Sequence, residues 1–201
     1  MKTSKSRAKQ ASHERIMDAG ARAIRREGYD AVSIARVMKE ASLTHGGFYA
    51  HFDSREAMLV ELTDRAGAES VAIFSRIAAA ESPGGALRAL LSAYLAPSHV
   101  EEPDAGCPIA ALGSEMRRQA PVVRRAATRR IKEMIDLVAR QADDLGQPEA
   151  HQRALTTMAT LVGAVVLARA IDEPALSESV LQATRAHLQL EHALSSPEPS
   201  D

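Results

Sequence analysis

Between Ser42 and Leu59 the chain reads SLTHGGFYAHFDSREAML, and Thr44, His45, Tyr49, His51, Ser54 and Arg55 within it can donate hydrogen bonds or carry positive charge. The pair Gly46 and Gly47 lets a backbone come close to whatever these groups touch. Three of the six Phe and Tyr residues of the chain fall here. The chemistry that such a set suits is recognition of phosphates and hydrogen-bonding edges. Elsewhere the seven histidines, His13, His45, His51, His99, His151, His187 and His192, form no HExxH pair or other metal spacing. A glycine-rich nucleotide loop and a nucleophile elbow are both missing from the sequence. No metal and no cofactor is expected.

These groups need a scaffold. On a helix starting near Thr44, Phe48 and Phe52 lie four apart and share a face, whereas Tyr49 is turned about 100° away. The two Phe residues are therefore expected in a core and Tyr49 outside it. Gly46 and Gly47 each weaken a helix by roughly 1 kcal/mol relative to Ala, so tertiary docking must hold this one. Its first residues, Thr44, His45, Gly46 and Gly47, occupy the place from which a helix in the major groove reads bases. Ser54 and Arg55 put free backbone N–H groups and a cation at the start of the next helix, which suits a phosphate. The same pair serves equally as an ordinary N-cap with a solvated Arg.

Upstream, Ile16, Ala19, Gly20, Ala23 and Ile24 recur with helical period after Ser12, a good N-cap, and Gly28 supplies a stop. A second helix opens at Ser33 and carries Ile34, Val37, Met38 and Ala41; Ser42 and Leu43 separate it from the third. Two short helices across such a turn read as helix-turn-helix. Residues 1–11 hold Lys2, Lys5, Arg7 and Lys9 without an apolar period, as expected of a flexible arm that is either solvated or in touch with phosphates. Ser54 caps a fourth helix with Met58, Leu62, Val71, Phe74 and Ile77, running to about Ala80. ESPGG breaks it, with Pro83 suited to the next first turn. Five more helices are expected at about 83–96, 106–118, 121–144, 148–171 and 174–194, followed by a polar tail over 195–201.

The balance of composition agrees. Aromatic residues make up 3% of 201 residues while Ala, Leu, Arg and Glu abound, which favours an all-α protein of about nine helices. A single cysteine, Cys107, excludes an internal disulfide and a Cys-rich zinc site and suits a reducing cytoplasm. The N-terminus lacks the apolar core of a signal peptide, and no run of about 18 uncharged apolar residues occurs, so no membrane association is expected. Residues 1–60 hold 11 Lys and Arg against seven acids, whereas the remainder holds 14 against 19. Only the N-terminal third suits a polyanion, and with the helix-turn-helix pattern this points to duplex DNA.

The stretch VSIARVMKEASLTHGGFYAHFDSREAML resembles the DNA-binding domain of the TetR/AcrR family of bacterial transcriptional regulators, over about residues 12–60. Ser33-Ile34-Ala35, Ser42-Leu43, Tyr49-Ala50-His51-Phe52 and Ser54-Arg55-Glu56 stand where the family pattern has its markers. The resemblance implies phosphate contacts at Ser33, Tyr49, His51 and Arg55 and a base-proximal set of Thr44, His45, Gly46 and Gly47. Arg55 replaces the usual Lys, and Gly47 lacks the hydroxyl that many relatives carry, which shifts readout toward His45, backbone approach and DNA shape. The implied plan is a flexible arm over 1–11, a three-helix helix-turn-helix domain over 12–53, and a helical ligand-binding and dimerisation domain over 54–194 with its first helix, 54–80, as connector.

The apolar residues of Arg153–Ile171 fall on more than one helical face, which calls for burial on two sides. By resemblance this helix and the next, about 150–194, pair with their copies in a homodimer that reads a pseudo-palindromic operator. The resemblance also implies a small-molecule inducer and a repressor rather than an activator. Phe74, Leu91, Tyr94, Met116, Met134 and Val138 are candidates to line its pocket, each equally plain core, and with so few aromatics an aliphatic or small ligand is favoured. Cys107, near a helix start, is either a small buried hydrophobe or a sensor of electrophiles or oxidants, as in some family members. A reading from another class stays open at this point: a helical small-molecule-binding protein or enzyme whose N-terminal domain mediates protein contacts.

Overall fold

In the computed structural model, residues 4–82, 84–141 and 148–195 are described, and their regular structure is entirely helical. The first helix, α1 (Ser4–Ala31), buries Ile16, Ala19, Ala23 and Ile24 as their spacing predicts. It starts earlier than expected. Residues 4–11 are helical rather than a flexible arm, and Ser12 does not cap: its hydroxyl lies 3.0 Å from the Ala8 carbonyl and 2.9 Å from that of Lys9. No Gly or Pro interrupts Ser4–Ile16, so a helix fixed by its packed part propagates backward through good helix formers without needing an apolar stripe of its own. At the other end Gly28 does break the regular helix, with φ 82° and ψ 172°, although turns continue to Ala31.

Among the described residues ten helical elements follow one another where about nine were expected. After α1 come α2 (Ile34–Glu40), a 3-10 helix (His45–Ala50), α3 (Arg55–Ala79), α4 (Ala86–Tyr94), α5 (Pro97–Glu101), α6 (Pro108–Met116), α7 (Pro121–Ala139), α8 (Pro148–Ala170) and α9 (Pro174–Ser195). The addition is α5. Pro97 ends one helix and, being tolerated at a first helical position, opens another. The helix expected over 121–144 ends at Ala139, and Pro83 and most of the 195–201 tail lie outside the described residues.

Two compact units divide the chain, residues 1–68 with 103–129, and residues 69–102 with 130–201. This division differs from one at 53/54: the first unit takes the start of α3, all of α6 and the start of α7. Its core joins Ile16, Ile24, Tyr29, Val37, Met38, Phe48, Met58, Leu62, Leu112 and Val123. Each large side chain so buried contributes roughly 1.5–3 kcal/mol before conformational entropy is set against it. Gly20 admits Leu62, whose Cδ2 would stand 2.5 Å from a Cβ there.

Polar ties complete the first unit. Buried Arg25 donates from Nε to the Asp104 carbonyl at 2.7 Å and from Nη1 to that of Ala66 at 3.2 Å. Thr63 gives its hydroxyl hydrogen to the Leu59 carbonyl, so at the 2.8 Å contact Tyr29 must donate to Thr63. Burial pushes the Tyr29 phenol up to about 12. On α6, Glu115 accepts from the Tyr29 backbone N–H at 2.8 Å.

In the second unit, Phe74 of α3 stacks on Tyr94 at 5.1 Å, and His99 meets Tyr94 edge to face at 4.6 Å. His99 donates from Nδ1 to the Tyr94 carbonyl at 2.6 Å, and burial holds its pKa below the ordinary value. Arg169 of α8 binds the His99 carbonyl at 2.6 Å, and Arg185 of α9 binds that of Leu95 at 2.8 Å. One face of α8, with Ala154, Met158, Leu161, Val165 and Ala168, is buried. A second stripe of Leu155, Ala159 and Val166 is exposed, as are Leu167 beside it and Leu176 and Leu190 on α9. Residues 149–170 have the length and composition of a membrane span, but much of this helix is packed within the unit.

Candidate nucleic-acid interface

Ser33 caps α2, accepting from the Arg36 backbone N–H at 3.3 Å, and stays exposed. The helix stops at Ala41. Ser42 then takes φ 56°, a left-handed conformation uncommon outside Gly, with its N–H on the Lys39 carbonyl at 3.0 Å, while the Leu43 N–H reaches that of Met38 at 2.8 Å. This is the turn of the helix-turn-helix. Along α2, Arg36 pairs with Glu27 and Glu40, and Arg26 with the same two acids, so these arginines are neutralised.

The reading element is a 3-10 helix rather than an α-helix. Two adjacent glycines and a length of six residues favour the tighter form, which packing sustains. Phe48 is 0% exposed and Phe52 3%, their rings stacked at 5.4 Å, whereas Tyr49 is 70% exposed with its ring edge-on to Phe48. The expected division of the aromatics is therefore met. Thr44, His45 and Gly46 are exposed and Gly47 is half-buried. A Cβ on Gly46 would meet no protein atom within 4 Å, and one on Gly47 would make only ordinary contact with Met38 and Thr44. Nothing inside the protein demands Gly46.

The remaining two expected phosphate ligands are engaged within the protein. Arg55 donates from Nη2 to the Tyr29 carbonyl at 2.6 Å and to that of Val32 at 3.2 Å, tying α3 to the end of α1. Ser54 caps α3 through the Ala57 N–H at 3.0 Å, as expected. His51 lies half-buried with Nε2 3.3 Å from Ser12 Oγ. The Ser12 hydroxyl hydrogen goes to a carbonyl of its own helix, so His51 donates from Nε2 and its Nδ1 holds a lone pair, buried without a partner. Burial, then His13, then Lys9 hold the His51 pKa below the ordinary value. No local pattern signals Ser12 as the anchor of His51 or Glu115 as a cap on Tyr29, because both pairings are long-range.

The ligand candidates divide between the units. Cys107 and Met116 belong to the first, Tyr94 and Met134 to the second. Cys107 is 0% exposed at the N-cap position of α6, and Met116 packs against the first unit's core. Tyr94 sits among Phe74 and His99, and Met134 is buried. Within the second unit an open cleft of about 480 Å³ lies between α8 and α9, lined by Glu149, Arg153, Thr157 and His192 among others, and Tyr94, Cys107, Met116 and Met134 are not among its lining residues. Among the described residues no group of His, Cys, Asp and Glu could hold a metal ion.

Known proteins match both parts. The family described as bacterial regulatory proteins, tetR family, matches residues 16–62, and a tetracyclin repressor-like C-terminal domain matches residues 84–184. An HTH-type transcriptional regulator of Mycobacterium tuberculosis is 33% identical over 171 residues, covering 80% of this chain and 85% of its own. A TetR transcriptional regulator from Chloroflexus aurantiacus superposes with a TM-score of 0.76 at 26% identity, covering 94% of this chain and 98% of its own. The reduced form of NemR from E. coli shares the fold with a TM-score of 0.73 at 20% identity, over 89% of this chain and 96% of its own.

Proposed function

This chain belongs to the tetR family of bacterial regulatory proteins, and from that premise we propose that it is a repressor that binds a pseudo-palindromic operator as a homodimer and is released by a small-molecule inducer. Its relatives are transcriptional regulators and not enzymes, which sets aside the reading in which the N-terminal domain serves only protein contacts.

The observation that carries the proposal is the split of the aromatic cluster, with Phe48 and Phe52 buried and Tyr49 70% exposed beside Thr44, His45 and Gly46. A folded domain gains nothing internally from that outward set, whereas a major groove offers each of its members a partner. Ser33, at the start of α2, and Tyr49 are the backbone contacts in this reading, and Thr44, His45, Gly46 and Gly47 the base-proximal ones. Arg55 and His51 act as positioning residues, since the atoms described above are spent on holding the 3-10 helix and α3 to α1.

The dimer reading rests on α8 and α9, where Val166, Leu167, Leu176 and Leu190 are 45–61% exposed. Such residues on paired helices suit an isologous four-helix contact. Work on DNA places the protein in the cytoplasm. Inducer identity stays with the buried apolar interior of the second unit, around Tyr94 and Met134, and an aliphatic or small ligand fits its few aromatic residues. Sensing at Cys107 would require the first unit to open, because the thiol is fully buried.

The test is a titration of operator DNA, isolated by selection with the parent protein, at fixed salt. Tyr49→Ala is expected to bind more weakly while sedimenting as the parent does. Equal affinity would remove Tyr49 from the interface.

A further inference from the structure

Residues 1–13 contain Lys2, Lys5, Arg7 and Lys9 and no acid; the first is Glu14. Because residues 4–11 continue α1, the described cations among them have fixed directions. Lys9 is one turn before Ser12 and His13, on the same face. That face meets the end of the reading element: Ser12 Oγ is 3.3 Å from His51 Nε2, and the His13 ring lies 5.8 Å from that of His51 and 5.2 Å from that of Phe52. Lys9 is close enough for its charge to oppose protonation of His51. Arg7 is about 200° around the helix from Lys9, toward the side where Glu14 and Asp18 bind Arg65.

Several cations of this unit are engaged within the protein. Arg26, Arg36, Arg65 and Arg129 are all paired with acids, and Arg25 and Arg55 are held by backbone carbonyls. Lys9 is exposed and has no acidic partner among the described residues. A cation left unneutralised beside the reading element, on a rigid helix rather than a loose arm, is suited to a phosphodiester.

We propose that the N-terminal extension of α1 is a second DNA-contact element, in which Lys9, fixed beside the 3-10 helix by the Ser12–His51 hydrogen bond, binds a backbone phosphate. This rests on the DNA-binding reading above. Lys9 supplies charge, while Ser12 and His51 supply position. The helix already holds the lysine's backbone in place, so little ordering is left to be done on binding.

The experiment measures binding of the full chain to a fluorescein-labelled random-sequence duplex by anisotropy over a range of salt, since phosphate contacts do not depend on sequence. The expected result is that Lys9→Ala lowers the slope of log K against log salt by about 0.9 for each protomer bound. Arg7→Ala, with the same change in net charge, should keep the parent slope. Ser12→Ala, which retains every charge, should lower the slope as Lys9→Ala does, with thermal melts verifying the fold. An unchanged slope for Lys9→Ala, or equal losses for Lys9→Ala and Arg7→Ala, would overturn the inference and leave the regulator reading intact. A parent chain with no salt-dependent duplex binding would refute both.

Discussion

Replacing Gly28 by Ala probes how α6 is joined to the end of α1. The φ of 82° and ψ of 172° at this position belong to a region that only Gly occupies readily, and forcing a side chain into it costs about 1–3 kcal/mol. The new Cβ would also run into the carboxylate of Glu115. Either that clash persists, at about 1–3 kcal/mol, or Glu115 withdraws and the 2.8 Å bond to the Tyr29 N–H is lost, at about 1.5–3 kcal/mol for a charged acceptor. These two are alternatives, so only one is counted. Against them stands about 0.4–1 kcal/mol from the stiffer unfolded chain. The net loss is about 1–5.5 kcal/mol, set against the roughly 5–15 kcal/mol that holds a domain folded. Urea unfolding of the parent and Gly28→Ala reads it directly. Repeating the change in a Glu115→Ala background should reduce its cost by about 1–3 kcal/mol, the part owed to the carboxylate. A loss under about 0.5 kcal/mol, or the same loss in both backgrounds, would refute the proposed cap of α6 on Tyr29.

Gly46→Ala should leave the fold unharmed, because no protein atom lies within 4 Å of the added Cβ, yet weaken operator binding if the glycine serves close approach. Equal affinity in a DNA titration would assign Gly46 no role. Ser42→Gly should stabilise the fold by about 0.5–1 kcal/mol, read as a slightly higher urea midpoint, since it relieves a left-handed φ of 56° at some cost in chain entropy. Leu167→Glu with Leu190→Glu places charge where residues are 56% and 61% exposed, so the monomer should fold and sediment as a monomer while losing tight operator binding. A persisting dimer would move the interface elsewhere. His99 has a folded pKa below its unfolded value, chiefly through burial, so the unfolded chain takes up the proton first. Its contribution to stability is complete above about pH 6.5 and is lost as pH falls through the folded pKa. The melting temperature of His99→Gln should therefore fall less steeply over that range than that of the parent.

Most of the reading head was legible in the sequence because short-range physics determines it. The period of Ile16, Ala19, Ala23 and Ile24, the cap at Ser33, and the spacing of Phe48, Tyr49 and Phe52 each settle a local choice that the core then accepts. What escaped depends on competition or distance. The lack of an apolar stripe over residues 4–11 suggested a loose arm, whereas a helix already nucleated at Ile16 needs only the absence of breakers to run back to Ser4. Gly46 and Gly47 were seen to weaken an α-helix, but not to leave a 3-10 turn in its place. Arg55 and His51 carry the right chemistry for phosphate, and only the folded arrangement shows that Tyr29 and Val32 also engage Nη2 of the one and Ser12 the Nε2 of the other. Membership of α6 in the same unit as the helix-turn-helix follows from Glu115 and Leu112, more than 80 residues along the chain from Tyr29 and Ile24, and no local pattern announces it.

The most direct test of a dimeric, sequence-reading regulator is selection of duplexes from a random pool by the purified chain, followed by sequencing. The account predicts enrichment of one motif repeated in inverted orientation, its half-sites about one helical turn or a multiple apart, and weaker enrichment of the same motif with Tyr49→Ala. A pool left unenriched by the parent chain, or enriched equally by Tyr49→Ala, would contradict it.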